Sequence, residues 1–322
     1  MTPTVCVFDA GKTGCRAGLW VDGQQVGYAE APGAVGITDP GGVEQALARM
    51  GQAHDALDCA PPRPALEVDV VVAGMAGLMS APEHAPRLHA GLAQRFPQAT
   101  VLVTSDAITS HAGALSGRPG VVLAAGTGVS VLAVADDGGF SLVDGYGYLL
   151  GDAGSGYAIG RAGLDQALRQ ADGRSGSAAL LTRLVERWGD PRALPRLAQG
   201  AANPAEVVAS FARDVFAAAH DGDPVALRIC EDAARELAES VAAAVRVARV
   251  EAPVPIATTG GLLKAGAVLT HPLDRHLGEL LPGAARRPAD GDALRGGYGM
   301  ALDPDLPHGR MLPGGEPRGD PS

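Results

Sequence analysis

The sequence predicts a two-domain α/β protein in which each half opens with a three-strand antiparallel meander that later parallel strands extend. Three observations carry this. The chain has 322 residues, more than the roughly 100 to 200 that usually share one core. Apolar residues make up 46 % and aromatics 4 %, so the core is Ala, Val and Leu, packed as helices on sheets. The strand order seen at the start of the chain also returns about a third of the way along it.

Residues Thr4 to Phe8 form a short buried apolar run, and Ala17 to Val21 and Gln25 to Ala29 follow as strands joined by the Asp22-Gly23 turn. Ala10 to Gly14 is the glycine-rich turn between the first two. Helical spacing from Val43 to Leu57 leads into a strand at Val68 to Ala73, a helix near Glu83 to Arg95, a strand at Thr100 to Thr104 and a helix after Asp106. The second half repeats the opening: strands at Val121 to Ala125, Val129 to Val134 and Phe140 to Val143, separated by a Gly-Thr-Gly turn and by Asp136 to Gly139. A mostly helical region spans Gly156 to Val250. Within it Asp223 is an N-cap followed by Pro224 at the first helical position. A strand at Pro255 to Thr259 then meets Gly260-Gly261 and a further helix. Domain limits follow at 1–116 and 117–287, with 288–302 a helix that packs back on the first domain. Residues 303–322 are rich in Pro, Gly and Asp without apolar periodicity and read as a disordered tail.

Thirty-six acidic residues against 26 basic ones give a formal charge of −10 with no basic stripe, which argues against nucleic acid and anionic membranes as partners. The chain enters an apolar strand without a basic leader and holds no run of about 18 apolar residues, so neither export nor membrane insertion is expected. Cys6, Cys15, Cys59 and Cys230 show no C-x-x-C spacing; reduced thiols in the cytoplasm fit that pattern. The eight histidines lack metal-site spacing. A symmetric dimer is the commonest assembly for such a chain.

Two turns stand out as phosphate binders. Gly11, Lys12 and Thr13 lie in a hairpin loop whose exposed backbone N–H groups suit an anion, with Lys12 adding a point charge. The spacing is neither a Walker loop nor a dinucleotide fingerprint. Gly126, Thr127 and Gly128 take the matching place in the second repeat, and two loops at equivalent positions predict a triphosphate held from both sides in a cleft between the domains. Asp106 follows directly on a strand end, where α/β sheets face their ligand. It can cap a helix, and it can accept the proton of an attacking hydroxyl. From Gly145 to Gly156 the chain holds five glycines, two tyrosines and Asp152 before a helix for which Ser155 is the N-cap candidate, a composition that presses backbone against a ligand. Gly260 and Gly261 sit at a strand-to-helix junction able to lie flat on a purine or ribose, and Lys264, one turn on, reads as solvated.

On these residues the sequence resembles the N-acetylglucosamine and glucosamine kinase family, the BadF/BadG/BcrA/BcrD-type ATPases, within the actin, sugar kinase and Hsp70 fold. The similarity runs from about Val5 to Leu302; its most specific pieces are Val121 to Val129 and Gly145 to Gly163, the latter similar to the family's G-W-G-x-x-x-G-D-E-G-S-G. The resemblance implies two ribonuclease-H-like halves with ATP between them and Mg²⁺-assisted phosphorylation of an amino sugar at its C6 hydroxyl. It implies Asp106 as catalytic base, Asp9 orienting the metal through water, and Gly11, Lys12, Thr13, Gly126, Thr127 and Gly128 on the phosphates. Gly260 and Gly261 would lie on the adenosine, and Gly145, Tyr146 and Asp152 with Thr127 and Asp106 would line the sugar. The family's sugar-touching asparagine has no counterpart in Ala31 to Thr38, where Val35 lies. Tyr146 stands for its tryptophan, Ala153 for its glutamate and Val129 for its serine, which leaves the choice between N-acetylglucosamine, glucosamine and another hexose open. Two other readings are an activator ATPase of a radical dehydratase or reductase, which needs cluster-binding cysteines, and a nucleotide-binding regulator without catalysis.

Overall fold

The computed structural model describes residues 2–57 and 67–311. Cys59 and residues 312–322 lie outside them. The chain divides into two compact units: the first holds Met1–Pro119, Val134–Gly139 and the stretch from Ala289 onward, the second Gly120–Ala133 and Phe140–Pro288.

The first unit is built on a five-stranded sheet in the order β3-β2-β1-β4-β5: β1 Val5–Ala10, β2 Gly14–Val21, β3 Gln24–Pro32, β4 Val70–Met75 and β5 Thr100–Ser105. The first three pair antiparallel, while β4 and β5 extend β1 in parallel. Alternation in β1 explains how one strand serves two cores. Cys6, Phe8 and Ala10 pack into the cluster with α1 (Gly42–Asp55) and α2 (Ala85–Arg95), and Val5 and Val7 join Trp20, Val72 and Leu294 on the opposite face. That second face is covered by α11 (Ala293–Leu302), whose Tyr298 stacks on Trp20 at 5.0 Å between ring centroids. Helix α11 lies backbone to backbone on α3 (Asp106–Ala114): a Cβ on Gly296 would fall 1.9 Å from the Thr109 carbonyl oxygen, and one on Gly113 1.9 Å from that of Asp292. Glycine at both positions is a packing requirement.

The second unit has a five-stranded sheet ordered β10-β9-β6-β7-β8, from β6 Gly120–Ala125, β7 Val129–Val134, β8 Phe140–Asp144, β9 Pro255–Thr259 and β10 Ala285–Pro288. Parallel pairing joins β6 to β9 and β9 to β10. The helical region resolves into α4 Gly156–Ala171, α5 Ala178–Trp188, α6 Leu194–Gly200, α7 Pro204–Ser210, α8 Ala212–His220 and α9 Pro224–Ala248. Asp223 caps α9 by accepting from the amides of Val225 and Ala226, with Pro224 first in the helix. After β9 the chain makes a 3₁₀ turn, Leu262–Ala265, before α10 Ala267–Leu280. Lys264 thus lies in the 3₁₀ turn. Strand β10 was not legible in the sequence because Ala-Arg-Arg-Pro at a sheet edge carries no apolar alternation.

The composition of residues 303–322 predicts a disordered tail, and the structure departs from that over 303–311. Pro307–Met311 forms a 3₁₀ turn, and His308, fully buried, sets its ring 5.0 Å from that of His111 on α3 at a tilt of 53°, with His111 Nδ1 and His308 Nε2 2.8 Å apart. One buried imidazole and the Leu306 side chain over Gly117 give this polar segment the anchor that its average composition hides. No helix among the described residues is long and apolar enough to cross a membrane.

Candidate active site

In the first unit the phosphate-loop candidate closes tightly, the Gly11 amide donating to the Gly14 carbonyl at 2.9 Å. The loop after β3 docks on it: Ala34 N–H donates to Gly11 O at 3.1 Å, and a Cβ at Gly33 would fall 2.2 Å from Lys12 O. The amides of Lys12 and Thr13 have no partner among the described residues, and both residues are exposed. Two N–H groups at a tight turn beside a lysine make an anion cradle.

Asp9 is the penultimate residue of β1, just before that loop. Asp9, Gly74 and Thr104 align across β1, β4 and β5, which places Asp9 and Asp106 near the carboxyl ends of parallel strands, where such sheets bind ligands. Residue 74 lies close under Asp106, its Cβ position 3.3 Å from the Asp106 Cα. The N-cap of α3 is Ser105, whose Oγ accepts from Ala107 N–H at 3.3 Å; Asp106 is the first helical residue, not the cap. Its Oδ1 accepts from the same amide at 2.8 Å and from Ser105 Oγ at 3.0 Å, while Oδ2 has no partner among the described residues. Burial pushes the Asp106 carboxyl above its usual range, and the nearby Asp9 charge adds to the shift. Asp9 gives its Oδ2 to the Arg16 guanidinium, with Nε at 3.0 Å.

The second phosphate-loop candidate is held from behind by α4. Gly126 N–H donates to Gly128 O at 2.9 Å, and the first amides of α4, Gly156 and Tyr157, donate to the carbonyls of Gly126 and Thr127 at 2.8 and 3.0 Å. Ser155 caps that helix, its Oγ accepting from Ala158 N–H at 3.1 Å. The amides of Thr127 and Gly128 have no partner among the described residues, the same pattern as at Lys12 and Thr13. Asp152 completes the loop: it is 6 % exposed, its Oδ1 accepts from Val129 N–H at 3.0 Å, and its carboxylate lies so close to Gly128 that a Cβ there would meet Oδ2 at 2.7 Å. Burial raises its pKa, the Val129 bond opposes that, and the Asp144 charge adds a smaller rise. Asp144 in turn accepts from the amides of Asp152 and Ala153 at 2.7 and 3.0 Å. Asp144 and Asp152 both take left-handed backbone, with φ of 62° and 63°, a strain that the paired hydrogen bonds offset.

A cavity of about 820 Å³ opens in front of this loop, lined by Gly126, Thr127, Gly156, Gly261 and Lys264 and, from α7 and α8, by Glu206 and Arg213. Gly260 stands behind it with φ 88°, where a Cβ would fall 2.2 Å from Ala125 O. The structure thus brings the Gly260-Gly261 turn and the second loop into one nucleotide-sized space. The α7 and α8 lining was missed because those helices show ordinary amphipathic spacing and no motif. On the same unit Gly145 and Tyr146 lie in a loop with large exposed side chains, Tyr146 at 74 % and Leu150 at 87 %.

Mg²⁺ characteristically takes one or two carboxylates together with substrate phosphates and water. Asp9 would suit that ion: its Oδ2 takes the Arg16 guanidinium, and Oδ1 has no hydrogen-bond partner among the described residues. Cysteine chemistry fits less well, since Cys6, Cys15 and Cys230 are buried and burial pushes the Cys15 and Cys230 thiols up to about 12.

Two sheets of this topology, each with a hairpin loop and free amides at matching positions, define the two-domain ATPase fold of actin, the sugar kinases and Hsp70. A Chromobacterium violaceum structure described as an N-acetylglucosamine kinase matches it with a TM-score of 0.68 at 26 % identity, over 94 % of this chain and 99 % of that one. A ROK family glucokinase of Streptomyces griseus shares the fold at 0.53 and 19 % identity, over 92 % of this chain and 98 % of the other. The chain belongs to the BadF/BadG/BcrA/BcrD ATPase family, matched over residues 8–296. It is 31 % identical over 163 residues to the N-acetylmuramic acid/N-acetylglucosamine kinase of Clostridium acetobutylicum, a stretch covering 50 % of this chain and about half, 53 %, of that relative. With glucosamine kinase GspK of Vibrio cholerae it shares 28 % over 241 residues, 71 % and 76 % of the two chains.

Proposed function

We propose that this protein is an ATP-dependent sugar kinase of the cytoplasm that phosphorylates the C6 hydroxyl of an amino sugar, N-acetylglucosamine or glucosamine. The observation that carries the reading is Asp106: a half-buried carboxylate at a strand end, one oxygen fixed by the helix start and the other free. As the sugar hydroxyl attacks the γ-phosphorus, its proton passes to Asp106 Oδ2. The new oxygen–phosphorus bond forms as the bond to the β,γ-bridging oxygen breaks, and sugar phosphate and ADP leave. The amides of Lys12, Thr13, Thr127 and Gly128 bind phosphate oxygens, the cavity beside Gly261 takes the adenosine, and Gly145, Tyr146 and Asp152 line the sugar. Asp9 would hold Mg²⁺ through water, and the ion when bound would neutralise charge on the phosphates. Support for an amino-sugar acceptor comes from the names of the relatives matched above. Coupled ADP release across glucose, glucosamine and N-acetylglucosamine tests the proposal: turnover with an amino sugar is expected, and ADP release that no sugar stimulates would overturn it.

A further inference from the structure

The loop 145–151 leaves β8 and returns to the place it left. Asp144, the last residue of β8, accepts from Asp152 N–H with Oδ1 at 2.7 Å and from Ala153 N–H with Oδ2 at 3.0 Å, so one carboxylate on the outgoing end grips two consecutive amides on the returning end. Val129, which directly follows Gly128, joins the same base: its carbonyl accepts from Gly145 N–H at 3.0 Å, and its own N–H donates to Asp152 Oδ1 at 3.0 Å. The base is tight, since a Cβ on Gly151 would fall 2.4 Å from Asp144 Oδ1. Beyond it the loop is lightly held. Gly147 O accepts from the amides of Leu150 and Gly151, Tyr148 leans on Tyr157 of α4 with ring centroids 4.9 Å apart, and Tyr146, Leu149 and Leu150 are exposed. The carboxylate of Asp144 therefore does much to fix the loop's shape, and among the described residues none of its hydrogen-bond donors comes from Gly126, Thr127 or Gly128.

We infer, resting on the amino-sugar kinase reading above and its assignment of Gly145 and Tyr146 to the sugar, that Asp144 is a positioning residue for the acceptor. It acts through the loop: with both ends clamped, Tyr146 stands two residues from a fixed point before the sugar arrives. Hydrogen bonds to a carboxylate are stronger than those between neutral groups, and a loop already held in its binding shape loses less freedom when the ligand docks. The effect belongs to the sugar and not to ATP, because the amides of Thr127 and Gly128 are set by α4 and by Asp152, whose bond from Val129 does not need Asp144.

The test compares the wild type with Asp144→Gly and Asp144→Asn. Residue 144 has φ 62°, which glycine adopts without strain, so the first variant removes the carboxylate and keeps the backbone. Asparagine also tolerates that conformation and retains one acceptor oxygen. Steady-state kinetics give kcat, the KM for glucosamine and N-acetylglucosamine and the KM for ATP, with calorimetric ADP binding and thermal melts alongside. In Asp144→Gly the sugar KM is expected to rise about tenfold, as loss of charge-assisted hydrogen bonds predicts, while the ATP KM and ADP affinity stay within about threefold; Asp144→Asn should fall between. An unchanged sugar KM in Asp144→Gly overturns the inference and leaves the kinase standing. Equal rises in the sugar and ATP KM, or failure of both variants to fold, make Asp144 part of the scaffold alone and overturn it too. ADP release by the wild type that no sugar stimulates removes the kinase reading and the acceptor role with it.

Discussion

Replacing Asp106 by asparagine separates the catalytic role of this residue from its structural one. The bonds that Oδ1 accepts from Ala107 N–H and Ser105 Oγ, at 2.8 and 3.0 Å, are available to an amide oxygen of the same shape, so the start of α3 survives. What changes is the second oxygen: the free Oδ2 becomes an NH₂ group, which donates and cannot take a proton. General-base catalysis is worth about 10² to 10⁴ in rate, or about 3 to 5 kcal/mol at 1.36 kcal/mol per decade. Asp106→Asn is therefore expected to lose at least about a hundredfold in kcat, while the KM for ATP, set by the loops and the cavity of the second unit, stays within about threefold. Stability should not fall. A carboxyl whose pKa is raised by burial holds its proton more tightly folded than unfolded, so its ionised form costs stability near neutral pH and the penalty fades as pH drops through the raised value. Asparagine removes that penalty. The same shift places the acid limb of the wild-type kcat/KM profile above the ordinary aspartate value, with activity lost as pH falls through it, and Asp106→Asn should lack that limb. Steady-state ADP release between pH 4.5 and 8, with thermal melts of both proteins, provides the readout. A variant retaining more than about a tenth of wild-type kcat refutes the assignment of Asp106 as base.

Asp152→Ala leaves the Val129 amide without its buried acceptor, which costs about 1 to 3 kcal/mol; a lower melting temperature together with a raised ATP KM is expected, and an unchanged KM would detach Asp152 from the second phosphate loop. Gly260→Ala forces a Cβ to 2.2 Å from Ala125 O at φ 88°; calorimetry should show ADP binding weakened at least about tenfold, and wild-type affinity would show that this turn does not shape the nucleotide space. His308 has its pKa lowered to about 3 by burial and by the neighbouring His111. A histidine that resists protonation when folded contributes stability that is complete above about pH 6.5 and is lost as pH falls from there toward 3, at no more than about 1.4 kcal/mol per pH unit. Denaturant unfolding of His308→Gln between pH 5 and 7.5 should therefore show a flatter dependence than the wild type, and equal slopes would contradict the reading.

Much of the fold was legible because its signals are local. The runs Val5–Ala10, Val129–Val134 and Pro255–Thr259 are short, largely apolar and each meets a glycine at one end, and Asp223-Pro224 marks a helix start with two residues. The paired loops were legible because glycine-rich turns recur at the same place in a repeated unit. What stayed hidden depends on tertiary position. Asp106 and Ser105 are both good caps, and only the backbone shows that Ser105 takes the role and releases Asp106 Oδ2. Asp152 stands out in the sequence by its glycine-rich setting, but its bond from Val129 N–H and its closeness to Gly128 depend on tertiary position. Glu206 and Arg213 line the cavity beside Gly261 from helices with unremarkable patterns, and the anchor at His308 depends on a partner almost two hundred residues earlier in the chain.

The most direct measurement of the central claim is phosphorus-proton correlation NMR on the product formed from ATP, Mg²⁺ and an amino sugar. The account predicts a new phosphomonoester signal coupled to the two C6 protons, appearing with wild-type protein and falling at least about a hundredfold in rate with Asp106→Asn. A phosphorus signal coupled to the C1 or C3 proton, or inorganic phosphate released at the same rate with and without sugar, would contradict it.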